Sequence, residues 1–202
     1  MSKSLLEKNR LEAFSDGVIA IIITLLVLEI KVPHISGEVN SQKIVEALIS
    51  IGPKFFSWVL SFFMLLIMWI NHHRIFNELE NTDNNILWLK GVLLFFMSFV
   101  PFPTAFMGDY FTQPMSTFFF GICLMLVGIA FYFLRAYLVK KPQLFKKEVD
   151  LTHQKNLATK TLLGPALYFL GAISSFFNII IAYVIYVAVP VYYIYFGLKR
   201  KD

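Results

Sequence analysis

The chain has 202 residues, of which 57% are apolar, 17% aromatic and only 15% charged, with a mean hydropathy of +0.67. Soluble domains carry about 25% charged residues, so this composition excludes a disordered chain and argues against an ordinary soluble enzyme. It is the composition of a membrane protein whose helices face lipid or one another. The net charge of +5 would point to nucleic acid in a soluble protein; here it records topology, and no nucleic-acid partner is expected. The single cysteine, Cys123, rules out an internal disulfide framework and any zinc site built on two cysteines. It lies in an apolar run and reads as a small buried hydrophobe.

A membrane-spanning helix needs about 20 mostly apolar residues. Six segments qualify, at about 13–31, 54–71, 88–107, 115–138, 159–175 and 178–198. The last two share one uncharged stretch of 38 residues, from Thr161 to Leu198. As a single helix it would reach about 57 Å, nearly twice a hydrocarbon core, so a turn around Ser174, Ser175 and Asn178 is expected to divide it. The reading is an all-α integral membrane protein, residues 1–202 forming one six-span domain. No cleavable signal sequence is expected, because a mixed-charge stretch precedes the first apolar run. Residues 40–51 are too short to span and read as an interfacial helix, and residues 140–155 as a basic linker.

Lys and Arg set the orientation. Fifteen fall on one side: Lys3, Lys8 and Arg10, then Arg74 and Lys90 around the loop after span two, seven between Arg135 and Lys160, and Lys199, Arg200 and Lys201. Lys31, Lys43 and Lys54 fall on the other. Both termini are therefore expected on the cytoplasmic side.

Ionisable groups at membrane depth are costly and are functional candidates by default. Twelve uncharged residues separate Asp16 from Glu29, only about 18 Å of helix. With Glu29 at the outer interface, Asp16 lies short of the inner one and needs partners inside the protein or a hydrated cavity. Arg10 is about 120° away on the helical wheel, so the two cannot easily pair within one straight helix. Ile21, Thr24, Leu25 and Leu28 share one arc of about 100°, continued by Phe14, with Asp16 on a different face. Apolar periodicity does not choose which face is lined, since Ile19, Ile22, Ile23 and Leu26 are equally apolar.

A second polar cluster, Trp69-Ile70-Asn71-His72-His73-Arg74, closes the second span. Its histidines could be structural, interfacial anchors or metal ligands; one adjacent pair without cysteines is poor ligand geometry. A His–Asp contact between the first two spans is physically reasonable. Pro101 and Pro103 are expected to kink or end the third span. Gly121 and Gly128 lie on one helix face and should permit close packing. Tyr183, Tyr186, Tyr192, Tyr193 and Tyr195 read as interface anchors and packing.

Arg10-Leu11-Glu12-Ala13-Phe14-Ser15-Asp16 matches an R-x-x-x-F-S-D motif at the start of a first transmembrane helix. With Trp69-Ile70-Asn71-His72-His73, Pro101-Phe102-Pro103-Thr104 and six spans, the chain resembles prokaryotic relatives of the lysosomal potassium-channel family called transmembrane protein 175. The resemblance covers essentially the whole chain. It implies a homotetramer in a bacterial cell membrane, with the first helices lining a central pore that conducts K+ passively. Other monovalent cations are possible permeants, and no cofactor or metal is implied. The constriction would fall at Ile21, Leu25 and Leu28, with Thr24 adding a hydroxyl ring. Arg10, Ser15 and Asp16 would join a hydrogen-bond network near Trp69 and one of His72 or His73. Consistent with this family, no T-V-G-Y-G filter sequence is present.

The competing reading is a proton- or cation-coupled secondary transporter using Asp16 and the histidines as a relay. A membrane enzyme is a third reading. It is disfavoured because His34, His72, His73 and His153 are divided between opposite sides of the membrane.

Overall fold

Prolines and short polar caps, rather than hydropathy, set where each helix begins. The computed structural model describes residues 3–199, with side chains from Lys8 to Gly197; the expected basic pair Arg200–Lys201 lies outside the described residues. Helix α1 (Lys3–Leu25) tightens into a 3₁₀ turn at Leu26–Glu29. A loop leads to α2 (Ser41–Ser50), capped by Asn40, whose side chain accepts from the Lys43 N–H at 2.9 Å. Helix α3 (Gly52–Asn77) follows, then α4 (Asn84–Phe99) and α5 (Pro101–Asp109). The chain continues with α6 (Pro114–Val139), α7 (Leu151–Lys160), α8 (Leu163–Ser174) and α9 (Ile179–Lys199). Pro53, Pro101 and Pro114 stand in the first turns of α3, α5 and α6, where a missing N–H costs nothing.

Six segments are long and apolar enough to cross a membrane: Lys8–Glu29, Gly52–Asn77, Asn84–Asp109, Pro114–Val139, Leu151–Ser174 and Ile179–Gly197. The fold is an all-helical, multi-pass membrane protein. Among the described residues the β-pairing is confined to one antiparallel bridge, Leu79 with Phe145.

The helices overrun the apolar runs at the basic end of the bundle. Helix α3 carries on past 71 to Asn77, since His72, Ile75 and Phe76 are buried against protein. The third span starts at Asn84, about four residues before the expected 88, so Lys90 lies well inside a helix and not near its end. It is a fully buried side chain within α4. The expected basic linker is ordered at both ends. Leu144 and Phe145 are buried beside the Leu79 bridge, and residues from Leu151 onward form α7, capped by Asp150. The fifth span therefore begins with a polar helix that buries Gln154 and Ala158.

Helix α6 is the axis of packing, with α4, α5, α7, α8 and α9 all against it, while α1 packs on α3 and α4. Gly121 and Gly128 make this possible. A Cβ at Gly121 would stand 2.0 Å from the Tyr186 hydroxyl, and one at Gly128 2.6 Å from Pro165 Cγ. Tyr186 is fully buried and donates to the Thr117 carbonyl at 2.9 Å, so it is an internal strut, not an interface anchor. Thr104 of α5 and Ser61 of α3 share a hydroxyl contact of 2.6 Å, and Lys54 pairs with Asp109 at 2.6 Å at the far end.

Gly121→Ala forces Tyr186 from its slot and should cost about 1–3 kcal/mol, read as a lower melting temperature of the purified protein. Gly52→Ala, whose Cβ meets nothing within 4 Å, should leave it unchanged.

Candidate functional site

The first helix is apolar on all sides, yet its own subunit covers only one side. Leu11, Ser15, Ile19, Ile22 and Leu26 follow the three-to-four spacing of a single stripe, and all are buried. Phe14, Ile21, Thr24, Leu25 and Leu28 point away from the subunit. Ile21 is 59% and Leu28 65% exposed, against 4% for Ile22 and 0% for Leu26. The 3₁₀ turn also moves Leu28: at three residues per turn it sits above Leu25 rather than trailing it by the angle of an α-helix. The expected arc is thus one continuous, uncovered strip.

What holds this rotation is a bond from α3. The Trp69 indole N–H donates to Asp16 Oδ1 at 3.0 Å. His73 stacks on Trp69, centroids 5.7 Å apart and planes 24° apart. His72 turns the other way, stacked on Phe76 at 4.4 Å and 2% exposed, with no hydrogen-bond partner for either nitrogen among the described residues. The expected His–Asp contact is therefore replaced by Trp–Asp, and His73 is the histidine beside it. The helix spacing explains this: Trp69 to His73 is i to i+4, while His72 rotates onto the Phe76 side.

Behind the strip, two lysines reach into the same layer. Lys90 Nζ lies 3.9 Å from the Phe76 ring centroid and donates to the Leu11 carbonyl at 3.2 Å. Ser15 donates to that carbonyl too, at 2.8 Å. Lys8 Nζ donates to the Leu79 carbonyl at 2.7 Å and stands 3.9 Å from Glu12 Oε1. Lys90 is within electrostatic reach of both Glu12 and Asp16. Two carboxylates on α1 thus face two ammonium groups, which offsets the cost of burying any one of them.

Arg10 is not brought into this set. It is exposed, without a hydrogen bond or ion pair among the described residues, beside Phe14 in an open groove walled by Leu87 and Gly91 of α4. The 120° offset from Asp16 places it there. Lys90 is the residue that sequence reasoning missed. The signal was available, since Lys90 interrupts Leu87-Trp88-Leu89 and Gly91-Val92-Leu93 as an ionisable group at membrane depth.

Trp69→Phe removes the only neutral donor to Asp16 among the described residues. The loss should be about 1–3 kcal/mol, read as a lower melting temperature of the purified protein.

A profile of the family described as endosomal/lysosomal potassium channel TMEM175 matches residues 10–101. The chain is 39% identical to a potassium channel of Chamaesiphon minutus over 86% of each chain. It is 36% identical to a potassium channel of Chryseobacterium, covering 93% of this chain and 89% of that one. The human endosomal/lysosomal proton channel TMEM175 is 25% identical over 90% of this chain but only 36% of its own length. A crystal structure of a lysosomal potassium-selective channel TMEM175 homologue from Chamaesiphon minutus superposes with a TM-score of 0.80 at 32% identity, covering 93% of this chain and 96% of that one. By sequence and by fold, the chain belongs to the TMEM175 family, whose named members are ion channels and not enzymes.

Proposed function

We propose that this chain is the subunit of a homotetrameric, potassium-selective channel of a bacterial inner membrane, with both termini cytoplasmic. The uncovered strip of α1, with Ile21, Thr24, Leu25 and Leu28, lines the pore. The observation that carries the reading is the asymmetry of α1. One apolar stripe is buried by the subunit and the other, equally apolar, is left open. One helix per chain cannot enclose a pore, so the reading requires several copies around an axis. The potassium channels to which the chain is similar support the choice of ion.

The chemistry follows from the side chains. A ring of Ile21 offers a partly dehydrated cation no ligands, so a narrow neck there stays closed by excluding water. Thr24 donates to the carbonyls of Ala20 and Ile21 at 3.0 and 2.9 Å. That leaves its oxygen lone pairs to face a passing ion. Four such oxygens are a weak cage, so K+ is favoured over Na+ mainly by its easier dehydration. No cofactor is needed.

Passive K+ flux into liposomes, measured beside Na+ and proton flux, tests this directly. The proposal expects flux down the K+ gradient with no stoichiometric coupling. Coupled, saturating transport would instead identify a secondary transporter. Ile21→Asn should hydrate the neck and raise K+ flux severalfold at equal tetramer yield. Thr24→Val should bring the K+ to Na+ flux ratio toward one, while Ile22→Val, on the buried stripe, should leave both properties unchanged.

A further inference from the structure

A cavity of about 470 Å³ lies at the basic end of the bundle, between α3, α6, α7, α8 and α9, away from the uncovered strip of α1. Its inner wall is apolar: Met64, Ile67 and Met68 of α3, Phe131 of α6 and Pro165 of α8, all buried apart from the cavity itself. Four basic side chains from three elements converge on it: Arg74, Arg135, His153 and Lys160. No Asp or Glu is among the lining residues. Arg135 is only 7% exposed, and its guanidinium is oriented by donating to Gln154 Oε1 at 3.0 Å. The Gln154 amide in turn donates to Glu78. Neither Arg74 nor Lys160 takes part in an ion pair among the described residues.

A concave site with an apolar wall and a cationic mouth at the end of membrane-spanning helices matches an amphiphile with an anionic head. Guanidinium groups recognise phosphate through paired N–H donors. The exposed Ile194 and Phe196 of α9, at the mouth beside the exposed Lys160, continue the apolar wall to the lipid-facing surface. We propose that this cavity is a binding site for an anionic phospholipid. Its phosphate is held by Arg74, Arg135 and Lys160, and an acyl chain lies along Met64, Met68 and Phe131. The inference is independent of the pore assignment, because none of these residues is on α1.

Native mass spectrometry of the intact purified protein, titrated with dioleoyl phosphatidylglycerol and with dioleoyl phosphatidylcholine, reads it. Wild type should retain the anionic phosphatidylglycerol about tenfold or more in preference. The double variant Arg74→Gln, Lys160→Gln should lose about tenfold of that preference, with the yield and melting temperature of the protein unchanged. Arg135 is left intact, because its removal would also break the Gln154 contact. A second variant, Lys140→Gln, Lys141→Gln, Lys146→Gln, removes three positive charges from the same end of the bundle but none from the cavity, since none of the three lines it, and should retain the preference. Glycerol phosphate alone should bind weakly, because it leaves the apolar wall uncovered. Equal retention of both lipids, loss of preference in the second variant alone, or equal binding of free glycerol phosphate would each overturn the proposal.

Discussion

The bond between Trp69 and Asp16 fixes the rotation of the first helix, and most of what is distinctive here follows from that rotation. A carboxylate two turns into an apolar layer must find a donor in protein. The donor comes from α3, at 3.0 Å. Once Asp16 is turned toward α3, the stripe from Leu11 to Leu26 is committed to the subunit interior. Ile21, Thr24, Leu25 and Leu28 are then committed to the outside. The polar residues at the start of α1 thus determine which of two equally apolar faces is left uncovered.

The same layer shows how a bundle in lipid accommodates buried charge. Lys8 and Lys90 donate to backbone carbonyls, of Leu79 and Leu11, rather than forming tight ion pairs with Glu12 and Asp16. Each ammonium has an oxygen partner, and the carboxylates add a longer-range field. This ties α1, which carries the uncovered strip, to Lys90 of α4 and to the Leu79 turn that follows α3. Elsewhere the glycines of α6 perform the equivalent task for packing, bringing α8 and α9 close enough for Tyr186 to reach the Thr117 carbonyl.

Much of this was legible in the sequence. Six apolar runs and the turn near Ser174 follow from length alone, and the depth of Asp16 follows from the twelve residues before Glu29. Proline at 101 announced the break between α4 and α5. The helix ends were less legible, because His72 and Phe76 lie in a stretch interrupted by Asn71, His73, Arg74 and Asn77, yet both are buried and Phe76 packs under the distant Lys90. Burial by tertiary contact leaves no local hydropathy signal. The choice of histidine was illegible for the same reason: adjacent residues differ by about 100° on the wheel, and only the position of Trp69 relative to Asp16 decides which one is near. Leu28 moved because a 3₁₀ turn replaces the last α-helical turn, a change that no periodicity within α1 announces.

The central claim is that the uncovered strip of α1 faces water in the conducting assembly. Single cysteines at positions 19, 21, 22, 24, 25, 26 and 28, in a Cys123→Ala background, can be challenged with a membrane-impermeant thiol reagent during K+ current recording. The account predicts block at 21, 24, 25 and 28, with 19, 22 and 26 untouched. Block at the buried positions, or at none of the seven in a channel that conducts, would contradict it.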